Sequence, residues 1–347
     1  MKKKIAICHS QVPFIKGGAE LLVQSLAIEL NKRGYQSEIV SVPFKWYPNN
    51  QLIQSMVNWR GIDLSESNGE KIDLVIGTKF PSYGIQHHNK VTWLVHQYRQ
   101  VYDLLGTKYS QYGSSPEDYS IRELVKRFDS NSLLESKKIY TIADNATNRL
   151  RKFNNIQSET LYHPPKHVGS YYSNEIGDYV LSVGRLDKLK RTDFLIEAMV
   201  YTNSNMKCVI AGEGPEKENL KRLVEKLNLK DRVIFLGFVE DKTLLDLYAN
   251  CLAVYYAPFD EDYGYVTLEA FLSKKPVISR QDSGGVLEFL VKESNGFILE
   301  ETEDIAEKLN FLLNNKHVAS SMGNNGYNDI QHITWDNAID KLTETIR

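Results

Sequence analysis

The stretch from Pro258 to Ala270 is Pro-Phe-Asp-Glu-Asp-Tyr-Gly-Tyr-Val-Thr-Leu-Glu-Ala. The apolar run before it, Leu252 to Tyr256, predicts a buried strand of an α/β sheet. The apolar residues from Val266 onward are typical of a helix that faces a core. Glu261 is therefore expected in the loop at the carboxyl end of a strand, where open α/β sheets bind their ligands.

The same loop and helix would place two carboxylates on either side of an anion site. The helix is predicted to begin at Gly264 or Tyr265, and the first N–H groups of a helix can hold a phosphate. Glu269 follows about five residues into the helix, roughly 7.5 Å along its axis. This order of groups suits a nucleotide sugar, which has sugar hydroxyls, then a diphosphate, then a ribose.

Two glutamates at a chosen spacing are usually solvated surface charges, so the other loops of this half of the chain matter. Strands are predicted at Tyr179–Val183, Lys207–Ala211, Val233–Leu236, Leu252–Tyr256 and Pro276–Ser279. Loops near their ends contain Gly184-Arg185 with Lys190, Gly212-Glu213-Gly214-Pro215, and Ser283-Gly284-Gly285. The carboxyl ends of parallel strands share one edge, so cations, glycine N–H groups and carboxylates would meet there. This convergence disfavours the surface-charge interpretation.

The first half of the chain begins with a second strand–turn–helix pattern. Lys4 to Cys8 predicts a strand, Gly17-Gly18 a turn, and the apolar residues from Ala19 a helix that stops at Gly34. Glycines at a helix N-terminus let the backbone approach a ligand closely. The full G-x-G-x-x-G pattern is missing, which counts against a dinucleotide-binding fold.

Further strands are predicted at Ser37–Pro43, Asp73–Gly77, Val91–His96 and Ile139–Ile142, with helix over most of residues 117–153. His96 is expected to end its strand and is followed by Tyr98 and Arg99 within an aromatic and basic run. Tyrosine and arginine in such density suit stacking on and hydrogen bonding to a polar ligand. A structural role is the common alternative for a lone histidine.

The chain of 347 residues predicts two domains, with 42% hydrophobic and 25% charged residues as in ordinary globular proteins. We expect an N-terminal domain over residues 1–165 and a C-terminal domain over 166–330. His163-Pro164-Pro165 and Ser170–Gly177 are interpreted as a linker, and Trp335–Ile346 as a last helix.

The composition indicates a cytoplasmic protein. No apolar run approaches the ~18 residues of a membrane span, and the apolar part of the N-terminus is too short for a secretory signal. Cys8, Cys208 and Cys251 lie in or beside predicted buried strands, as expected of core thiols in a reducing compartment.

The net charge of −2 hides a split between the two halves. Through Pro165 there are 21 Lys and Arg against 15 Asp and Glu, and after it 21 against 29, so the halves carry +6 and −8. A basic half suits an acidic acceptor or an anionic membrane surface. An accident of surface composition is the alternative.

Taken together, the motifs resemble those of retaining glycosyltransferases of family 4, the glycosyl transferases group 1, over nearly the whole chain. The residues that carry the resemblance are Gly17-Gly18-Ala19-Glu20, Gly184-Arg185 with Lys190, Gly212-Glu213-Gly214-Pro215, the Glu261/Glu269 pair and Ser283-Gly284-Gly285. The resemblance implies the GT-B fold, an α/β architecture of two Rossmann-like doubly wound domains facing across a cleft. It departs at Asp262-Tyr263, where the family often has Gly-Phe, and this leaves the sugar preference open.

The resemblance also implies roles for the domains and the site residues. The C-terminal domain would bind the nucleotide sugar and the N-terminal domain the acceptor, with the final helix (residues 331–347) crossing back onto the first domain. Arg185, Lys190 and Glu261 would be catalytic, and His96, Tyr98 and Arg99 would orient acceptor or sugar. The donor-binding residues would be Gly17, Gly18, Gly184, Gly212, Glu213, Gly214, Gly264, Tyr265, Val266 and Glu269.

No metal or other cofactor is expected, because Arg185, Lys190 and the helix N-terminus already provide a positive field for the leaving diphosphate. Asp260-Glu261-Asp262 only superficially supplies a metal-binding Asp-x-Asp. The expected partners are a nucleotide-sugar donor and a glycan or lipid-linked acceptor of cell-surface polysaccharide or lipopolysaccharide assembly. Peripheral contact with the inner face of the cell membrane is expected, and no nucleic acid.

Two other classes stay open: a GT-B epimerase of nucleotide sugars, and a binding subunit without activity of its own. The intact charged positions argue against the second. The residues leave undetermined whether the leaving phosphate takes the acceptor's proton on the same face or Glu261 forms a covalent intermediate. Under the first mechanism His96 would be an orienting group and not a base.

Overall fold

A computed structural model describes residues 2–15 and 17–347, and the chain divides into two compact units. The first contains Met1–Lys166 and Ile333–Arg347, and the second His167–His332. Each unit has a parallel sheet and buried apolar clusters of its own.

The first unit is built on a sheet with the strand order β2-β1-β5-β6-β7-β8, all parallel. Its strands are β1 (Lys4–Gln11), β2 (Gln36–Pro43), β5 (Leu74–Gly77), β6 (Lys90–Leu94), β7 (Lys138–Thr141) and β8 (Glu159–Thr160), while β3 (Glu66–Ser67) and β4 (Glu70–Lys71) form a separate antiparallel pair. The central strands β5 and β6 are buried at every residue, as expected of apolar strands inside a parallel sheet.

The helices of this unit follow local start and stop signals. They are α1 (Gly18–Lys32), α2 (Asn49–Arg60), α3 (Pro116–Leu134) and α4 (Asp144–Asn154). The Ser115 hydroxyl accepts a hydrogen bond from Asp118 N at 3.1 Å and caps α3, with Pro116 as its first residue. Gly34 follows α1 at a φ of 88°, a left-handed conformation that glycine adopts without strain.

The second unit repeats the architecture with the strand order β11-β10-β9-β12-β13-β14, again all parallel. Its strands are β9 (Tyr179–Val183), β10 (Lys207–Ala211), β11 (Val233–Gly237), β12 (Ala253–Tyr255), β13 (Val277–Ser279) and β14 (Gly296–Ile298). Its helices are α5 (Thr192–Ala198), α6 (Lys217–Lys226), α7 (Asp241–Asn250), α8 (Tyr265–Leu272), α9 (Thr302–Asn314) and α10 (Lys316–Asp329). The order reverses between β9 and β12, the position at which such sheets bind ligands.

Some expectations differ from the structure. The last helix, α11 (Trp335–Leu342), ends four residues early, and a 3₁₀ turn follows it. His96 lies two residues beyond the end of β6 and does not end the strand. The first part of the expected linker is buried: the ring of His163 lies 5.3 Å from that of Trp93 and 6.1 Å from that of Trp335. Within the described ranges, no helix is long and apolar enough to cross a membrane.

Candidate active site

The loops after β9 and β12 meet where the second sheet reverses its strand order. Lys190, from the first loop, forms an ion pair with the carboxylate of Glu261, from the second, and its ammonium also donates to Tyr256 Oη at 3.2 Å. Burial disfavours the charge of Lys190, but Glu261 and Tyr256 outweigh it and hold the pKa of Lys190 above its ordinary value. A lysine that stays fully charged in a partly buried site suits an anionic ligand.

Arg185 is close to Lys190 but differs in its contacts. Both residues line one small cavity of about 10 Å³ beside Tyr256. Arg185 is exposed, and its side chain makes no hydrogen bond or ion pair with any part of the chain that the structure describes, although its backbone carbonyl accepts from Asp187 N at 3.0 Å. Its guanidinium is therefore available to an incoming anion, whereas the ammonium of Lys190 already has an anionic partner.

Arg191 was missed by sequence reasoning and holds three loops together. Its guanidinium forms a bidentate ion pair with Asp282, with both N–O distances 2.7 Å, and donates to Ala257 O and Pro258 O at 2.8 and 2.9 Å. These contacts join the loops after β9, β12 and β13. The partners of Arg191 lie 66 to 91 residues further along the chain, so no local pattern could identify it.

The loop that carries Glu261 is paired with the loop that carries Ser283-Gly284-Gly285. Glu261 N donates to Ser283 O at 3.2 Å, and Gly285 N donates to Glu261 O at 2.8 Å. A Cβ atom on Gly285 would lie only 2.6 Å from Asp262 O. The glycine allows the close backbone approach that fixes the position of Glu261.

Helix α8 begins next to this loop. Gly264 is its N-cap in a left-handed conformation (φ 89°), and Tyr265 and Val266 are its first two residues. The first N–H groups of a helix have no partner within the helix and attract anions. The structure therefore begins α8 immediately after the Glu261 loop, as the sequence predicted, and anion binding at this helix start stays a prediction.

Glu269, in the fifth position of α8, is not a solvated surface charge. It accepts a hydrogen bond of 2.6 Å from the hydroxyl of Tyr248 on α7, and the ring of Tyr171 packs against Tyr248 at 6.2 Å. Burial raises the pKa of Glu269, and the Tyr248 hydroxyl and the charge of His167 partly oppose this. Sequence reasoning missed both tyrosines, which belong to segments remote from α8.

The Gly212-Glu213-Gly214 loop after β10 packs closely against the loop after β9. A Cβ atom on Gly212 would lie 1.8 Å from Gly184 O, and one on Gly214 2.3 Å from Leu186 O. The Glu213 carboxylate forms an ion pair of 2.6 Å with Lys217. Loop packing therefore accounts for both glycines of this motif, and donor binding by this loop stays a prediction.

In the first unit, the Gly17-Gly18 turn is tied to a buried polar cluster at the carboxyl end of β1. Glu20 accepts a hydrogen bond from Gly17 N at 2.8 Å, contacts Lys79 Nζ at 2.7 Å and lies 3.2 Å from His9 Nε2. Burial disfavours its charge, but the contacts with His9 and Lys79 prevail and lower the pKa of Glu20 to about 2. Glu20 thus holds the glycine turn against the sheet.

The residues predicted to orient acceptor or sugar have structural contacts. Tyr98 is buried and donates to Gln111 Oε1 at 3.2 Å, and Arg99 forms an ion pair of 2.6 Å with Asp103. His96 is half-buried, with Nδ1 at 2.8 Å from Gln97 O. A ligand role for the three stays a prediction.

A divalent metal would need a group of carboxylates, histidines or cysteines. Among residues 2–15 and 17–347, no three such side chains are arranged to hold a metal ion, and Asp260 and Asp262 belong to no such group. Arg185 and Lys190 place two positive charges at this edge of the second sheet, beside the Arg191 guanidinium that is paired with Asp282.

Two units, each built on a parallel α/β sheet, are the architecture of GT-B glycosyltransferases. In this chain the cations and carboxylates lie at the edge of the second sheet. Residues 168–329 match the family model described as Glycosyl transferases group 1. The second unit therefore matches the group 1 glycosyltransferases over nearly all of its length, and the chain has the GT-B fold.

Similarity to known proteins extends over both units. An uncharacterised glycosyltransferase of Methanocaldococcus jannaschii is 33% identical over 163 residues, 46% of this chain and 42% of that protein. The sucrose-phosphate synthase of Thermosynechococcus elongatus superposes with a TM-score of 0.81 at 16% identity, over 99% of this chain and 98% of that one. Anabaena HepE, solved with UDP and glucose, has a TM-score of 0.72 at 18% identity, and 99% of each chain is covered. This chain spans less than half the length of the first curated relatives it matches.

Proposed function

We propose that the protein is a retaining glycosyltransferase that moves a sugar from a nucleotide-diphosphate sugar to a hydroxyl of a glycan or glycolipid acceptor. The observation that carries the proposal is the ion pair of Lys190 and Glu261 at the point of strand reversal, beside the N-terminus of α8. It puts a cation, a carboxylate and helix N–H groups at one place. These are the groups that a sugar joined to a diphosphate requires.

The chemistry follows from where charge develops. When the bond between the anomeric carbon and the diphosphate oxygen breaks, its electron pair stays on the phosphate. Lys190, Arg185 and the start of α8 would stabilise this growing negative charge, which is the usual source of the largest catalytic effect. The acceptor oxygen would bond to the anomeric carbon from the same face, and its proton would pass to the leaving phosphate.

Glu261 and Glu269 would hold the two ends of the donor. Glu261 would accept hydrogen bonds from the sugar hydroxyls and Glu269 from the ribose, five helical positions after the N-cap that would face the diphosphate. We infer that no divalent metal takes part, because two side-chain cations already serve the diphosphate. The acceptor would bind the first unit, in assembly of a cell-surface glycan at the cytoplasmic face of a membrane.

The test is a panel of UDP- and GDP-sugars, each assayed with and without candidate glycan and lipid-linked acceptors, in EDTA and then in manganese. We expect nucleotide release that depends on acceptor, persists in EDTA, and gives a product with the anomeric configuration of the donor by NMR. An epimerised donor without acceptor would identify an epimerase, and donor binding without turnover a non-catalytic subunit. Complete loss in EDTA with recovery in manganese would assign Asp260 and Asp262 to a metal.

A further inference from the structure

An aromatic groove lies in the first unit where the loops after β1 and β2 meet the start of α2. Two cavities, of about 540 and 400 Å³, share Trp46 and Tyr47 in their walls. Both volumes fall in the range of small-molecule sites, roughly 300–1,000 Å³. Because the cavities share a wall, the groove suits an extended ligand better than a compact one.

The two shared aromatic rings are accessible. Tyr47 is 60% exposed and Trp46 is half-buried, with ring centroids 5.2 Å apart and ring planes at 79°. The other three tryptophans of the chain, Trp59, Trp93 and Trp335, are buried. A tryptophan and a tyrosine side by side at the surface offer large apolar faces on which a flat, partly apolar ligand can stack.

The rest of the lining is rich in side-chain amides. Gln51, Gln54 and Asn58 line the larger cavity, and Asn49 and Gln111 the smaller one. Gln54 donates to Asn58 Oδ1 and Asn49 to Glu117, both at 2.8 Å, and Gln111 Oε1 accepts from Tyr98. Each amide has two N–H donors and two acceptor lone pairs, so capacity for a series of hydroxyl groups remains. Among the described residues that line the two cavities there is no carboxylate, and Lys45 provides the one charge.

The walls of the groove are fixed by the protein's own hydrogen bonds. The Gln11 amide donates to Val12 O and Ile15 O, both at 2.8 Å, and the Ser55 hydroxyl donates to Lys45 O at 3.2 Å. A pre-formed site loses less entropy when it binds a ligand.

We propose that this groove binds a neutral or acidic oligosaccharide, the saccharide part of the acceptor, by stacking sugar rings on Trp46 and Tyr47 and hydrogen bonding their hydroxyls to the amides. Only the identification of the bound oligosaccharide as the acceptor rests on the proposed function. A sugar ring has an apolar C–H face and a polar rim, and the groove has both complements. A single lysine is too little charge for a site built around a phosphate.

The direct test uses the fluorescence of Trp46, the tryptophan that solvent reaches. Trisaccharides of glucose, galactose and N-acetylglucosamine are titrated up to 10 mM while acrylamide quenching is followed, with calorimetry in parallel. We expect at least one trisaccharide to protect Trp46 saturably. Trp46→Phe should lose the optical signal yet keep measurable heat, whereas Tyr47→Ala should weaken the Kd roughly tenfold. Tyr201→Ala, at a 55% exposed tyrosine of the second unit, is the matched control and should bind normally.

The outcomes separate this inference from the proposed function. The groove assignment is overturned if zwitterionic lipid vesicles protect Trp46 from acrylamide while no trisaccharide does, or if neither protects it. If a trisaccharide binds but no donor is turned over, the proposed function fails and the groove stands. If transfer occurs and Trp46→Ala leaves the acceptor KM unchanged, the groove assignment fails and the function stands. We expect Trp46→Ala to raise that KM at least tenfold, whereas Tyr201→Ala should leave it unchanged.

Discussion

Lys190 and Glu261 form an ion pair although the proposed reaction assigns them to opposite sides of the bond that breaks. Lys190 would face the diphosphate and Glu261 the sugar hydroxyls. A bound donor must place oxygens against both groups, so its anomeric carbon would lie next to this pair. The ion pair also keeps each charge compensated while the site is empty, which reduces the cost of holding them partly buried.

Lys190→Ala should lower kcat by roughly 10²-fold or more, by analogy with the loss of one donor to a developing oxyanion. Lys190 faces charge that grows in the transition state, so the donor KM should change less than kcat. Lys188→Ala, at an exposed lysine of the same loop, is the control and should be nearly silent. Steady-state kinetics measure kcat and the donor KM, and thermal melting checks that each variant is folded. An unchanged kcat with a raised KM would contradict the assignment of Lys190 to the developing charge.

Gly285→Ala should disturb the Glu261 loop without touching any charged side chain. The new methyl group would lie 2.6 Å from Asp262 O, a backbone atom that cannot move without shifting its loop. We expect a loss of about 1–3 kcal/mol in the free energy of unfolding, as in other overpacked sites, together with reduced kcat. Gly61→Ala, where the nearest backbone oxygen is 3.7 Å away, is the control in chemical denaturation. Equal stability of the two variants would refute the packing argument.

Asp129 gives the first unit a pH-dependent stability. Complete burial raises the pKa of its carboxyl from 3.8 to about 7, although the hydroxyls of Tyr83 and Tyr102 both donate to it at 2.7 Å. The folded state therefore binds the proton more tightly than the unfolded state. The stabilisation is complete below pH 3.8 and is lost as the pH rises through about 7.

The corresponding variant is Asp129→Asn, which should flatten that part of the stability profile between pH 4 and 8. The expected difference is on the order of a few kcal/mol, at about 1.4 kcal/mol per pKa unit. Urea unfolding followed at several pH values measures it, and Asp231→Asn, at an exposed aspartate, should keep the wild-type slope. A slope that survives in Asp129→Asn would assign the effect to other groups.

Binding to anionic vesicles tests the expected membrane contact, which rests on the charge split. Two clusters of basic residues in the first half, at Lys2–Lys4 and Arg149–Lys152, would make this contact. In the structure part of their charge is compensated, because Lys3 pairs with Asp73 and the buried Arg149 with Asp103. Weak binding that decreases with salt is expected, since exposed charges are screened over ~10 Å at 0.1 M. Sedimentation with vesicles at low and high salt measures it, and no binding at low salt would favour a soluble acceptor.

Local patterns predicted the repetitive parts of the fold well. The ends of β9 and β10 match the predicted strands at Tyr179–Val183 and Lys207–Ala211, since each is a short apolar run between turns. Helix α2 was not predicted, although the buried Leu52, Met56 and Trp59 have helical spacing and could have indicated it. The three-residue strand β14 is too short for periodicity to identify.

The strand order predicted which loops meet at one edge of the sheet, but the individual side-chain contacts of the site could be predicted only where residues lie close together in sequence. The Glu261 loop and the start of α8 form one continuous stretch, so its order of groups was visible. The ion pair of Arg191 with Asp282 joins residues 91 positions apart, and the Tyr248 hydroxyl reaches Glu269 over 21 positions. Such contacts depend on the packing of whole elements, and a single sequence carries no local sign of them.

Glu269 and Tyr248 should affect donor binding more than turnover, because the ribose does not change during the reaction. Glu269→Gln should weaken donor binding by about 1.5–3 kcal/mol, the worth of a charged hydrogen bond, which appears as a raised donor KM with kcat largely kept.

Tyr248→Phe removes the 2.6 Å hydrogen bond that favours ionised Glu269, so the pKa of the Glu269 carboxyl should rise further above its ordinary value. Donor KM should then begin to rise at a higher pH in this variant than in the wild type as the pH is lowered, with Tyr201→Phe as the exposed control. Donor kinetics over pH 5–8 measure this shift. If Glu269→Gln is inactive at saturating donor while Lys190→Ala only raises the donor KM, the roles assigned to Glu269 and Lys190 are reversed.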